Sequence, residues 1–372
     1  MNMRSISLNQ FMTLIVLYLI GGSMLVNIGR YAGQNIWIVL LIGGVLGSGL
    51  FTVYHRISKL HDYKGLPDIL RDCFGKWFGM ALIIVYAGFF LFRTVMMGNS
   101  MTGMVLETLM YGANHHLVVT LLLTTVMFGA LYGLKTIGRS SEFLFVVAIL
   151  CLLPFLTTAF SAGVFKSTNL VPVLAEGMGG IRQDIFRVTA FPYGELVAFL
   201  MFFPFVSKKQ SSKILKRGYI AILMATLLLI AIELTNVAVL GTNLSENFLY
   251  PFYSAMQLAG MNGLLERLDP LAAIIIIVTG YFKGVLYFYA GILAIQSLNQ
   301  KFNYKWILFI VSLGIFIFAP YIQLGQVDFV LHALPFKILP IFQLAIPLVV
   351  WIVSEIKYGK KKKAEREKLA TT

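Results

Sequence analysis

The chain is predicted to be an all-α integral membrane protein, with ten transmembrane helices in a five-plus-five inverted repeat and discontinuous helices 1 and 6. Three observations predict this. Of 372 residues, 58% are hydrophobic and 12% charged, and the mean hydropathy is +0.82, more apolar surface than a soluble core can hide. Apolar runs of the roughly 20 residues needed to cross about 30 Å of hydrocarbon recur almost from end to end. Two of these runs are interrupted at mid-span, by Gly21-Gly22-Ser23 and by Phe191-Pro192-Tyr193-Gly194-Glu195, at matching places in the two halves.

The first span, 8 to 30, is too long for a signal peptide and lacks a small-residue cleavage site, so it is expected to stay in the chain. The second, 34 to 54, brings the chain back. Residues 64 to 75 then mix charges with apolar residues at helical spacing and are expected to lie along the membrane interface. The third span is 77 to 106. A short turn with His115-His116 follows, which has no acid or cysteine nearby and reads as solvated rather than metal-binding. Spans 117 to 134 and 141 to 163 complete the first repeat, about 8 to 163. After a connection of about 20 residues, the second repeat, about 185 to 356, runs through 185 to 207, 217 to 240, 268 to 299, 304 to 322 and 338 to 356. Because five is odd, it crosses the bilayer in the opposite sense. Between its second and third spans, Pro251-Phe252-Tyr253 introduces a short helix within 242 to 265, expected to cap the cavity. The whole chain, 1 to 372, is thus one transmembrane domain with a basic tail, 357 to 372.

The net charge of +14 does not point to nucleic acid, because basic residues crowd alternate connections. Arg4, the stretch between Arg56 and Lys76, Lys135 and Arg139, the stretch between Lys208 and Arg217, Lys301 and Lys305, and the tail fall on one side. Only Arg30, Lys166, Arg182, Arg187, Arg267 and Lys337 fall on the other. This asymmetry predicts that both termini are cytoplasmic. The partner it implies is the lipid bilayer, with Lys360 to Lys363 near anionic headgroups at about 1 kcal/mol per charge. Cys73 and Cys151 are too few for a disulfide framework or metal cluster and read as packing residues. No phosphate-binding loop, nucleophile with its base or zinc pattern occurs in the sequence, so neither an enzyme nor a cofactor or metal is expected.

Chemistry concentrates at the two breaks. If the first helix unwinds at Gly21 and Gly22 and restarts near Ser23, the new half-helix points its free N–H groups at the midplane, where a ligand carboxylate is stabilised. The alternative is close helix packing through small residues. In the second break, Pro192 removes a donor and displaces Phe191 from helical geometry, and Gly194 tolerates unusual backbone angles. Unwound carbonyls and the Glu195 carboxylate then offer acceptors to an ammonium group. The alternative is a proline kink with Glu195 paired to a neighbouring cation. Among the many aromatic residues, Tyr193 is favoured as a ligand contact by its place in the break. Arg93 and Lys283 occupy equivalent depths in spans three and eight, and with Glu195 and Glu233 they form an intramembrane charge network. A lone charge there costs at least about 2.5 kcal/mol, so pairing or a wet cavity is required. Lys283 with Glu195 is the favoured pair.

Three stretches carry a family likeness: Ile20-Gly-Gly-Ser-Met-Leu-Val26 with Ala32-Gly-Gln-Asn-Ile-Trp-Ile38, Phe191-Pro-Tyr-Gly-Glu-Leu-Val197 with Met201-Phe-Phe-Pro-Phe-Val206, and Glu266-Arg-Leu-Asp-Pro270 leading into Lys283. Together they resemble the B-subunit family of nutrient germinant receptors of spore-forming bacteria, itself similar to amino acid/polyamine/organocation transporters. The resemblance implies a small nutrient, an amino acid, bound between Gly21, Gly22 and Ser23 on one side and Phe191 to Glu195 on the other. It also implies A-type and C-type partner subunits in the inner spore membrane. Asn27 departs from the pattern, since such chains often carry a proline there. A proton-coupled amino acid transporter and an ion or water channel are the alternative functions.

Overall fold

The computed structural model describes residues 5–28, 32–175, 177–261, 266–299, 301–322 and 337–359. Apart from one isolated bridge between Ile6 and Val206, the described residues form helices and turns. In order they are α1 (Leu8–Ser23), α2 (Ile36–Leu60), α3 (Leu66–Thr108), α4 (His115–Tyr132), α5 (Leu134–Ser161), α6 (Gly177–Ala190), α7 (Ile214–Leu240), α8 (Thr242–Asn247), α9 (Pro251–Met261), α10 (Asp269–Leu298), α11 (Tyr304–Phe318) and α12 (Ile346–Ser354). Eight helices among the described residues are long and apolar enough to cross a bilayer, and α1 is a shorter apolar helix beside them. The chain is an all-α integral membrane protein. The basic tail beyond Gly359 lies outside the described residues.

Several helices outrun the apolar windows that mark them, because hydropathy registers the hydrocarbon while the hydrogen-bond ladder continues through the interface. The segment expected along the interface is the first part of α3. Pro67 stands in its first turn, where a missing N–H costs nothing, and Asp68 faces the positive end of the helix dipole. Gly75, at φ 78° and ψ −176°, then breaks the direction of α3 before it crosses. Such a backbone conformation suits glycine and strains residues with a Cβ.

The helices meet through small residues, as expected where lipid removes the hydrophobic drive between them. Thr226 of α7 seats against Gly44 of α2, where an added Cβ would lie 2.8 Å from its Oγ1. Phe51 of α2 fills the space above Gly218 of α7. Gly21 lies against the Thr279 carbonyl of α10, which an added Cβ would overlap. The first break therefore differs from expectation. α1 stays helical through Gly21, Gly22 and Ser23, and Met24 to Ile28 form turns. Close packing on α10 accounts for Gly21, and the helix presents its carbonyl end, not an N-terminus, to the interior.

The sixth span is discontinuous. α6 stops at Ala190, and the chain resumes as 3-10 helix over Tyr193–Met201 and Phe203–Phe205. Pro192 and Pro204 each remove a donor from this stretch. At about 2.0 Å per residue, the 3-10 form spans half the hydrocarbon with fewer residues than an α-helix needs. Its end is tied to the N-terminal segment by the Ile6 N–H, which donates to the Phe205 carbonyl at 2.8 Å.

The lysine-rich end is bound by a polar cluster. The His61 ring, just past α2, lies with Nδ1 3.3 Å from Asp72 Oδ2 and Nε2 2.9 Å from Ser354 Oγ of α12. Lys357 Nζ donates to the Cys73 carbonyl at 2.7 Å, and Arg56 makes two hydrogen bonds to Glu355, at 2.6 and 3.0 Å. Burial raises the Asp72 carboxyl, but the hydrogen bonds from Lys64 and His61 outweigh it and hold it below the ordinary aspartate range.

Gly21→Ala is expected to lower stability by about 1–3 kcal/mol through overpacking against fixed backbone, whereas Gly88→Ala, with open space at its Cβ position, stays within about 0.5 kcal/mol. Thermal unfolding of the purified protein checks both. In a Cys151→Ser background, Asp72→Asn with Ser354→Val is expected to speed maleimide labelling of buried Cys73 by on the order of tenfold, as local opening becomes easier.

Candidate functional site

Glu195 is the first charged residue after the break in helix six, and the 3-10 turn directs its carboxylate into the bundle between α3 and α10. Oε1 accepts a hydrogen bond from Arg93 Nη2 of α3, and Oε2 pairs with Lys283 Nζ of α10. Glu195 and Lys283 are wholly buried and Arg93 is 5% exposed, so the cluster lies inside the bundle, away from lipid. One carboxylate thus serves two cations, and the group carries one net positive charge.

Aromatic rings complete the shell. Lys283 Nζ stands 4.4 Å from the Phe191 ring centre and 5.3 Å from that of Tyr18. The Arg93 guanidinium lies 5.8 Å from Phe191 and 5.5 Å from Tyr287. Such contacts add roughly 0.5–2 kcal/mol each where water is absent. Tyrosines reach two carbonyls just past the break: Tyr18 Oη donates to Glu195 O at 3.0 Å, and Tyr54 Oη, which donates to Gln343 O at 2.7 Å, lies 3.2 Å from Gly194 O. The remaining space beside Gly22, Arg93, Phe191 and Met97 is a cavity of about 20 Å³, room for about one water.

A far larger cavity, about 850 Å³, opens on the lysine-rich face among Lys64, Lys135, Tyr132 and Ser297. Its floor is Met201, Phe205 and Tyr289. Tyr289 stacks on Phe202 at 6.2 Å and meets Phe205 at 6.1 Å. Tyr289 is six residues from Lys283, about 9 Å along α10, so an aromatic layer separates this vestibule from the charged cluster.

The family model described as spore germination protein matches residues 5–327 of this sequence. The chain belongs to the spore germination protein family. It is 29% identical to spore germination protein KB of Bacillus subtilis (strain 168) over 371 residues, 98% of this chain and 97% of that one. It is also 24% identical to spore germination protein A2 of the same organism, across 76% of this chain and 75% of the relative. Spore germination protein YndE is 25% identical, across 71% and 72%. The membrane architecture is therefore that of a germination permease-type protein.

In this family member the predicted site residues divide. Gly22, Phe191, Glu195, Arg93 and Lys283 converge; a Cβ on Gly22 would lie 2.7 Å from Lys283 Nζ and 2.8 Å from Phe191 Cζ. Pro192 and Gly194 shape the turn that delivers Glu195. Gly21 packs on α10, and the Ser23 hydroxyl is committed to Leu19 O of its own helix at 2.9 Å. Tyr193 turns away from the cluster. Its ring lies over Gly43 and Gly47 of α2, and its hydroxyl is 2.7 Å from Thr226 Oγ1. Glu233 is also apart from the other charges, buried on α7 with Asn236 Nδ2 3.4 Å away. Glu195 offers one oxygen to each cation, and Glu233 takes no part in the cluster. Asn27, where a proline was the pattern, donates through Nδ2 to Ser245 O and ties the turn after α1 to α8.

Tyr18, Tyr54 and Tyr287 were missed. Tyr287 lies one helical turn beyond Lys283, and Tyr18 one turn before Gly22, so i to i+4 spacing from the charged and broken positions was the available signal. Replacing Glu195 with Gln leaves two buried cations facing each other and is expected to cost about 3–5 kcal/mol. Glu195→Gln with Lys283→Met is expected to recover part of that loss, and unfolding in detergent of the single and double variants checks the order.

Proposed function

We propose that the chain is the transporter-like, B-type subunit of a spore germinant receptor, that it binds an amino acid nutrient at the membrane midplane, and that it signals to A-type and C-type partner subunits. The observation that carries this reading is that Arg93 and Lys283 share the single carboxylate of Glu195. A zwitterionic ligand matches this arrangement, offering its carboxylate to the two cations and its ammonium group to Glu195. The ligand carboxylate takes Lys283 and Arg93 from Glu195; its ammonium group takes the released Glu195 carboxylate and the carbonyl end of α1. This assigns the carboxylate to side-chain cations and not to a half-helix N-terminus.

The exchange supplies the signal. Glu195 ties the helix-six segment to α3 and α10, and a ligand that replaces those ties favours an arrangement in which the segments separate. The shift is limited by the difference in ligand affinity between the two arrangements, so a weak nutrient at high concentration suffices where the gap is small. A cavity of 20 Å³ must enlarge before any amino acid enters, with Phe191 and Arg93 as the moving groups. The excess of basic residues on one face supports an inner spore membrane orientation with both termini cytoplasmic.

A second reading, proton-coupled transport, is favoured by Glu233, a buried acid outside the cluster. Concentrative uptake of labelled amino acid into vesicles under a proton gradient, lost in Glu233→Gln, is its expected signature.

For the receptor reading, nanodisc-embedded protein is expected to bind amino acids and to discriminate against their methyl esters by at least about tenfold. Gly22→Ala, which displaces Lys283, and Lys283→Met are each expected to weaken binding by about tenfold or more in equilibrium dialysis. Equal binding of acid and ester contradicts the assignment.

A further inference from the structure

A third cavity, about 170 Å³, lies between α2, α6 and the π-helical turn Ile341–Ala345 that precedes α12, and is lined by none of the three charged residues of the cluster. Leu46, in the middle of apolar α2, and Phe186 of the more polar α6 stand at its rim, 47% and 38% exposed, so its mouth opens along the lipid-facing side of α2. Leu50, Ile185 and Leu344 make its walls apolar. At its inner end sits Gln343, which is 1% exposed and has no hydrogen-bond partner for either amide atom among the described residues.

An amide sealed in apolar surroundings without hydrogen bonds is costly, so its burial needs a reason. Gln343 also touches the break in helix six. Its Cδ lies 3.0 Å from the point where a Cβ on Gly194 would stand. Its main-chain carbonyl accepts from Tyr54 Oη at 2.7 Å, the hydroxyl that also faces Gly194 O.

We propose that this crevice is a binding site for a small uncharged amphiphile drawn from the bilayer, an alcohol or carboxamide with an apolar body about the size of a benzene ring, whose polar group bonds the Gln343 amide. The size follows from the volume, since an apolar cavity of about 150 Å³ accommodates benzene. The polarity follows from the lining: the Thr189 hydroxyl already donates to the Ile185 carbonyl at 2.7 Å, which leaves the Gln343 amide as the neutral group able both to donate and to accept. A charged headgroup finds no partner at that depth: Arg182, the charged residue that lines the crevice, is eight residues before Ala190, about 12 Å along α6. A lipid acyl chain fills the walls but leaves the amide unpaired. A ligand held by Gln343 lies next to Gly194 and Glu195, and so biases the helix-six break from outside the nutrient site.

Binding of para-fluorobenzyl alcohol and para-fluorotoluene to the full chain in nanodiscs, followed by fluorine NMR, tests this. The alcohol is expected to bind saturably and about tenfold more tightly than the toluene. Gln343→Leu is expected to abolish that preference, and Leu46→Trp, which fills the mouth from the lipid side, to weaken both ligands at least tenfold. Equal binding of the two probes marks an acyl-chain groove and overturns the proposal. So does the absence of saturable binding, which marks a cavity holding only lipid or water, or a preference that survives Gln343→Leu. If Gln343→Leu does not fold, Leu46→Trp decides: unchanged binding of the alcohol overturns the site.

Discussion

The single carboxylate of Glu195, set between Arg93 and Lys283 in the middle of the membrane, is the interaction on which the rest of the molecule depends. None of the three charges tolerates that depth alone, because neither lipid nor a packed interior replaces lost hydration. Each element that delivers one is therefore held in place by the others: α3 by Arg93, the helix-six segment by Glu195 and α10 by Lys283. The rings of Phe191, Tyr18 and Tyr287 exclude water, which strengthens attraction within the cluster and makes its disruption costly. The cluster is thereby a constraint on the fold.

Helix six can deliver Glu195 only because it is not a continuous α-helix. A break at membrane depth frees carbonyls that water cannot reach, and they need partners from the protein. Tyr18 and Tyr54 reach in from α1 and α2 to supply hydroxyls at Glu195 and Gly194. The break is thereby clamped on two sides by hydrogen bonds and on a third by ion pairs. Phe202, Phe205 and Tyr289 then close the route from the large vestibule on the lysine-rich face. With Glu195 filling the space between Arg93 and Lys283, only a small cavity remains beside them.

Helix six is also where the distant parts of the chain meet. Tyr54 bonds both Gly194 and the main chain of Gln343, so the π-helical turn before α12 and the break share one hydroxyl. α12 is in turn tied to the ends of α2 and the start of α3 through Ser354, His61 and Glu355. Hydrogen bonds and α12 thus connect the break to the lysine-rich face. This path is one of spatial connection, and its coupling energy belongs to the measurements that perturb it.

The apolar character and order of the spans were legible in the sequence, and eight of the ten expected are matched by helices long and apolar enough to cross a bilayer among the described residues, because crossing hydrocarbon imposes a length and a composition that local residues alone satisfy. The break at Pro192 was equally legible, since a proline removes a donor wherever it stands. The charge partners were only half legible: Lys283 was matched to Glu195, but Arg93 joined the same carboxylate and Glu233 stood apart, because pairing depends on the rotation of each helix about its axis. For the same reason Tyr193, inside the break, turned into the glycine groove of α2. Gly21 and Gly22 show the limit most clearly. A glycine pair permits both an unwound turn and a close helix crossing, and the choice fell to the Thr279 carbonyl on α10, far away in sequence. The sequence by itself determined that this chain spans a membrane and where polar groups had to be hidden within it. Tertiary packing alone decided which of those groups meet, because neighbours across the bundle, and not along the chain, complete their charges and hydrogen bonds.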